Sequence, residues 1–232
     1  MSPRPLIAVA HGSRDPAAAT AIDALVAEVR RQRPGLTVTS CFLEHADPGL
    51  PAAITAVGPG AVVVPLLLTA AFHSGTDLPA QLAAADPAAV QAQVLGPDAL
   101  LLAGLERRLA EVGVAAGDPG TAVVLAAAGS ADPAAQQTVR ELAVAWRVRG
   151  WWAVEAAFAS AAEPTVEEAV GALRSRGAPR VAVASYLLAP GLFADRIGAA
   201  GGDVASAPLG DAPEVAELVL ARYDAALTRQ PA

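Results

Sequence analysis

Two stretches of the sequence, VAHGSRDPAA at 9–18 and AAAGSADPAA at 126–135, are copies of one loop about half a chain apart. In each copy a short apolar run ends in Gly-Ser, and an Asp-Pro pair then opens a helical pattern. Alanines stand in the second copy where the first has His11 and Arg14. The pair predicts an internally duplicated chain in which only the first copy keeps chemically active side chains.

Runs of strand character alternate with helical patterns along the chain, which predicts right-handed crossovers and parallel sheets. The expected fold class is α/β, with two similar flavodoxin-like domains, each a doubly wound parallel sheet with helices on both faces. The expected strands are 6–10, 36–43, 61–68, 91–95, 121–127, 152–158 and 180–187. The expected helices begin at Pro16, Pro48, Pro79, Ala99, Pro133, Pro164 and Pro213.

A Gly- and Pro-rich segment, GVAAGDPG at 113–120, separates the two runs of elements and is typical of a linker. We therefore expect an N-terminal domain over 1–115 that carries the active site. The second domain is expected over 120–232 with a degenerate site. Asp47-Pro48 pairs with Glu163-Pro164 between the two halves, and we interpret each pair as the start of a helix.

Composition narrows the function classes. The formal net charge is −7, every basic residue is arginine, and no arginine stripe with interleaved aromatics occurs, which argues against nucleic acid as a partner. No apolar run approaches the roughly 20 residues of a membrane span, and no secretory signal is evident. The single cysteine, Cys41, lies in a strand-like run and excludes an internal disulfide. We expect a cytoplasmic protein without a membrane partner.

All three histidines, His11, His45 and His73, lie in the first half, each just after an expected strand. Loops at the carboxyl ends of parallel strands line the ligand crevice of an open α/β sheet, above all where the strand order reverses. With strand order 2-1-3, the loops of His11 and His73 flank that point, and Glu44 lies one strand away. We expect His45 to point elsewhere if its segment is still extended.

Two imidazoles and a carboxylate suit a divalent ion such as iron, cobalt, nickel or zinc. They equally suit proton abstraction near neutral pH. The first loop adds a candidate anion site, because Gly12, Ser13 and Arg14 lead into a helix whose free N–H groups favour negative charge.

Three motifs in order, AHGSRDP, FLEHADP and PLLLTAAFHSGTDLP, resemble the class II chelatases of tetrapyrrole biosynthesis, the CbiX/SirB-type sirohydrochlorin cobalto- and ferrochelatases. The second half, with AAGSADP and SYLLAPGLFADRI, resembles the C-terminal half of the family's long, duplicated form. The likeness spans nearly the whole chain.

The resemblance implies insertion of Co²⁺ or Fe²⁺, with Ni²⁺ a further possibility, into sirohydrochlorin, a macrocycle with eight carboxylates, without ATP or an organic cofactor. His11 and His73 match the family's paired catalytic histidines and Glu44 its acidic residue. These three would act as catalytic residues and metal ligands. Which histidine holds the ion and which accepts a proton stays open, as do the physiological metal and the choice between sirohaem and cobalamin biosynthesis.

In the second half Ala128 replaces His11, Ser160 replaces Glu44, and Phe193 or a neighbour replaces His73. We expect this half to act as a wall of a single site, with Arg196 for a substrate carboxylate, in a monomer or weak dimer. Two other functions stay open. The same histidines would suit a tetrapyrrole or metal carrier without turnover, and His11 would suit a phosphohistidine-type phosphotransferase, although Arg14 is the only arginine in these three loops.

Overall fold

The computed structural model describes residues 3–69 and 77–229 of the chain. Its elements, in chain order, are β1 Leu6–Ala10, α1 Pro16–Gln32, β2 Val38–Phe42, α2 Leu50–Val57, β3 Val62–Pro65, α3 Asp77–Ala85, β4 Val90–Gln91, α4 Ala99–Glu111, β5 Thr121–Ala127, α5 Pro133–Arg147, β6 Ala153–Phe158, α6 Val166–Ser175, β7 Arg180–Tyr186, α7 Leu192–Gly198, β8 Val204–Ala205 and α8 Pro213–Thr228.

The strands form two parallel four-stranded sheets, with orders β2-β1-β3-β4 and β6-β5-β7-β8. β1 and β5 are central and buried along their whole lengths, as expected for strands covered on both faces. Each sheet therefore reverses its strand order between its first and third strand in sequence. This confirms the α/β fold class and the 2-1-3 order predicted for the first half.

The predicted helix starts at the repeated loop are confirmed. Asp15 caps α1 by accepting a hydrogen bond from the Ala17 N–H at 2.9 Å, and Asp132 caps α5 through the Ala134 N–H at the same distance. α1 packs on β2 and α8. It buries an apolar stripe made of Ala18, Ile22, Leu25, Val26 and Val29.

The Asp47-Pro48 and Glu163-Pro164 pairs do not start helices, so that prediction is wrong. Both are cis peptides in loops ahead of the helices. The Pro48 carbonyl accepts from the Phe42 N–H at 2.9 Å, and the Pro164 carbonyl accepts from the Phe158 N–H at 3.0 Å. Each pair thus turns the chain back onto the strand it has just left.

α2 instead begins after Gly49, and α6 begins after Thr165, whose hydroxyl accepts from the Glu168 N–H in a capping box. Two elements were not predicted, α7 and β8, and β4 is shorter than the strand expected there. Within the described residues, no helix combines the length and apolar character needed to cross a membrane.

The chain divides into two compact units that do not coincide with the predicted domains. One contains the residues up to Gly96 together with those from Pro213 onward, and the other is Pro97–Ala212. The segment at 113–120 separates the sequence repeats, as expected, but the last helix of each repeat belongs to the other repeat's sheet.

In the first unit, α8 packs on α1, β3 and β4. The Arg222 guanidinium donates to the Val94 and Leu95 carbonyls at 2.8 and 2.7 Å, and the Tyr223 hydroxyl donates to the Arg4 carbonyl at 2.6 Å. In the second unit α4 packs on β7, and Glu106 accepts from the Trp146 indole N–H at 2.9 Å. Each unit is thus completed by a helix that lies distant in sequence.

Candidate functional site

The loops after β1 and β2 lie against each other at the carboxyl end of the first sheet. The ladder between the two strands continues past their ends, because the Leu43 N–H donates to the Ala10 carbonyl and the Glu44 N–H to the His11 carbonyl, both at 3.0 Å. His11 and Glu44 are therefore held as neighbours by the backbone. Both side chains are exposed at the edge where ligands bind in open α/β sheets.

Gly12 is what allows the two loops to come so close. Its φ of 96° lies in the left-handed region, and a Cβ at this position would overlap the Glu44 carbonyl oxygen. The glycine of the HGSR motif therefore has a structural role, because it allows the His11 loop to pack directly against the Glu44 loop.

His45 does not meet the condition under which it was expected to point elsewhere. The segment is not extended there, because His45 has φ 63°, which turns its ring back toward the preceding residue. The His45 Nε2 atom lies 3.4 Å from Glu44 Oε2, with both side chains substantially exposed. His45 therefore belongs to the same cluster as Glu44.

His73 lies outside the described residues. The strand that leads to it, β3, is a neighbour of β1, and the Leu66 N–H donates to the Val9 carbonyl at 2.7 Å. The described chain leaves this edge at Thr69 and resumes at Asp77. Within the described ranges, no three His, Cys, Asp or Glu side chains are close enough to hold one metal ion.

The first loop uses several of its polar groups internally. The Ser13 hydroxyl accepts from the Asp15 N–H at 3.1 Å, and Asp15 occupies the first-turn N–H of Ala17. The donors that the sequence offered to an anion at this helix start are thus partly used by Asp15. Arg14 is exposed, and its guanidinium is the cationic group of the loop.

The second unit repeats this backbone without the chemistry. Gly129 has φ 95°, and a Cβ there would overlap the Ser160 carbonyl oxygen, just as Gly12 meets Glu44. Ser160 donates its hydroxyl to the Ala128 carbonyl at 2.8 Å. Ala161 has φ 54°, like His45. The side chains in this half therefore offer neither an imidazole nor a carboxylate at the positions of His11, Glu44 and His45.

The carboxyl end of β7 instead carries two exposed apolar side chains. Leu192 is 62% exposed and Phe193 is 38% exposed, both on α7, and the Arg196 guanidinium carbon lies 6.0 Å from the centre of the Phe193 ring. Arg196 was expected from the sequence, whereas Leu192 was not. The signal for Leu192 was a pair of large apolar residues directly after Pro-Gly, where a loop is normally polar.

Comparison with known protein families matches each of the two sequence repeats separately. A family model described as CbiX matches residues 5–112 and again residues 122–226. A search of the curated proteins found no match.

Solved structures share the fold. SirB from Bacillus subtilis, described with Fe³⁺, is 24% identical, with 94% of this chain and 93% of that chain covered and a TM-score of 0.75. The sirohydrochlorin chelatase SirB from Bacillus subtilis subspecies spizizenii, in complex with cobalt, is 22% identical, with 97% and 96% covered and a TM-score of 0.76. A CbiX described as the terminal enzyme of siroheme biosynthesis in denitrifying bacteria is 23% identical, with 96% and 99% covered and a TM-score of 0.73.

Proposed function

Because the chain belongs to the CbiX family, we propose that it is a sirohydrochlorin chelatase, a lyase-class enzyme that inserts Co²⁺ or Fe²⁺ into sirohydrochlorin. The observation that carries the proposal is the pairing of His11 with Glu44 at the carboxyl edge of the first sheet. The similar solved structures described as SirB and CbiX support the same reaction. The metal is a substrate, and we propose that neither ATP nor an organic cofactor takes part.

Insertion places one divalent ion in the macrocycle and releases the two pyrrole protons, so charge is conserved. The site must exchange water on the ion for nitrogen ligands and accept protons. Neutral imidazole does either task near pH 7, and a carboxylate adds negative charge that attracts the ion. We assign these tasks to His11, Glu44 and His73 together. Ni²⁺ would suit the same donors.

Recognition of the macrocycle needs cationic groups for its carboxylates and apolar surface for its ring. Arg14, beside Gly12 and Ser13, is the cation of the first loop. In the second unit, Arg196 is the cation beside Phe193. We propose that these residues bind the substrate, because binding energy from remote carboxylates can orient the reacting centre.

Only the first repeat supplies the reactive groups in this proposal. Ala128 cannot ligate a metal or accept a proton, and the Ser160 hydroxyl is already bonded to the Ala128 carbonyl. We propose a two-domain organisation with one active half, acting in the cytoplasm as a monomer or weak dimer without a nucleic-acid or membrane partner. Size-exclusion chromatography with light scattering tests the oligomeric state.

The experiment that tests the function is a turnover assay. Purified protein, sirohydrochlorin and Co²⁺ are mixed with the protein well below the substrate concentration, and the macrocycle's absorbance is followed against a protein-free control. We expect many equivalents of product per protein molecule at a rate well above the control. A change limited to one equivalent would instead identify a carrier and overturn the proposal.

A further inference from the structure

We propose that His45 is a metal ligand, and that it forms with Glu44 an outer binding site where a divalent cation is first captured. The inference rests on the proposed function for its biological meaning, but the site itself is defined by the described residues. The His45 Nε2 and Glu44 Oε2 atoms are 3.4 Å apart, and their side chains are 39% and 50% exposed.

The separation of these two atoms fits one shared ion. Two donors that each lie about 2.1 Å from an ion are about 3.0 Å apart at a right angle and about 3.4 Å apart at the tetrahedral angle. Both side chains face solvent, so water can fill the other coordination positions. An imidazole with one carboxylate is a donor set that Co²⁺, Fe²⁺ and Ni²⁺ accept.

The backbone conformation that makes the pair comes from the fold. Ala161, at the matching position of the second repeat, has φ 54° against 63° for His45. Gly12 and Gly129 likewise leave no room for a Cβ beside the carbonyl oxygens of Glu44 and Ser160. The turn is therefore present with or without an imidazole. What distinguishes the first repeat is the pair of side chains placed on that turn.

Glu44 links the pair to the proposed reaction site. Its backbone N–H donates to the His11 carbonyl at 3.0 Å, and its carboxylate lies 3.4 Å from His45 Nε2, so Glu44 contacts both the His11 loop and His45. A site with two protein donors and several waters binds an ion more loosely than a closed site. A loosely held ion beside Glu44 can pass to the reaction site without first returning to bulk solvent.

The first test measures Co²⁺ binding in the absence of tetrapyrrole, by calorimetry and by the visible absorbance of the bound ion. His45→Ala keeps the fold because alanine occupies the same conformation at position 161. We expect its affinity for Co²⁺ to fall about tenfold or more. In the insertion assay, the variant should be slower than the natural chain at limiting Co²⁺ concentration. The difference between the two rates should become smaller as the Co²⁺ concentration is raised. An unchanged affinity would overturn the proposal and leave only an exposed contact between His45 and Glu44.

The second test builds the site where it does not exist. Ser160→Glu together with Ala161→His transfers the pair to the matching turn of the second repeat, and Ser160→Glu alone is the matched control. We expect the double variant to bind one more equivalent of Co²⁺ than the control. Equal stoichiometry would contradict the proposal. Both binding tests stand apart from turnover, so failure of the chelatase proposal would be recognised separately, by the assay of the natural chain.

Discussion

At the scale of single residues, Gly12 and Gly129 make the same contact in two settings. Each has a positive φ near 95°, and each faces a carbonyl oxygen of the neighbouring loop with no room for a Cβ. Beside the first glycine are His11 and Glu44, and beside the second are Ala128 and Ser160. A comparison of the two positions therefore distinguishes the structural role that both glycines share from the role in the site that only Gly12 has.

Alanine at either position should destabilise the protein by about 2 kcal/mol or more, because a left-handed backbone and a backbone overlap both oppose it. We expect Gly12→Ala and Gly129→Ala to lower the free energy of unfolding by similar amounts in urea titrations. Only Gly12→Ala should also reduce metal insertion strongly, since it displaces the Glu44 loop. Equal losses of activity in the two folded variants would contradict a site confined to the first repeat.

Several residues could be predicted from sequence because their signals are local. Asp15 and Asp132 cap their helices as the Asp-Pro pattern indicated, and His11 and Glu44 follow their strands as the strand lengths indicated. The direction of His45 could not be predicted, since it depends on one positive φ in a residue other than glycine. His45 is the middle residue of a tight turn in which the Ala46 N–H donates to the Glu44 carbonyl at 2.8 Å, and the local sequence carries no signature of that turn.

At the scale of elements, α7 is the feature that the sequence concealed. It is only seven residues long, follows Gly191, and leaves Leu192 and Phe193 exposed at the carboxyl end of β7. Its short length gives too few apolar positions for a helical period. Asp47-Pro48 and Glu163-Pro164 misled for the opposite reason, because a strong local helix signal was overridden by hydrogen bonds from the strand ends to the two prolines.

Replacing both exposed apolar residues should weaken binding of the macrocycle. We expect Leu192→Ser with Phe193→Ser to raise the Kd for metal-free sirohydrochlorin about tenfold, equivalent to about 1.4 kcal/mol of lost apolar contact. The measurement is equilibrium binding followed by absorbance.

The matched control lies in the same unit. Val144 is 69% exposed and Val148 is 85% exposed, so Val144→Ser with Val148→Ser removes exposed apolar surface elsewhere. We expect its Kd to stay that of the natural chain. If both double variants bind equally well, α7 does not contact the macrocycle.

At the scale of the whole molecule, the repeats of the sequence and the compact units of the structure differ by an exchange of helices. α8 comes from the second repeat and completes the first unit, where it buries Val215, Ala216, Leu218, Val219, Leu220, Tyr223 and Ala226. The duplication and the fold class could be predicted from repeated motifs and alternating periods. The exchange could not, because either helix position satisfies the same amphipathic pattern.

The exchange of helices between the repeats predicts which fragments of the chain can fold. A fragment of residues 1–112 contains the whole first repeat but lacks α8. The burial of several Val and Leu side chains, about 1.5–3 kcal/mol each, is comparable with the stability of a whole domain. We expect this fragment to unfold without cooperativity, as judged by near-ultraviolet circular dichroism during heating.

The matched chain joins residues 1–96 through a short flexible linker to residues 213–232. It contains the complete first unit and should unfold cooperatively. A cooperative transition in the 1–112 fragment would contradict the division into units described above.

We propose that the side chains of the first repeat perform metal insertion on a backbone that both repeats share. His11→Ala with Glu44→Ser gives the first repeat the residues that Ala128 and Ser160 supply in the second. The measurement is the initial rate of Co²⁺ insertion into sirohydrochlorin, compared with that of the natural chain. An unchanged Tm of the variant serves as the control for folding. We predict a loss of at least about a hundredfold, in line with the removal of acid–base and ligand groups. A rate within a few fold of the natural chain would contradict the account.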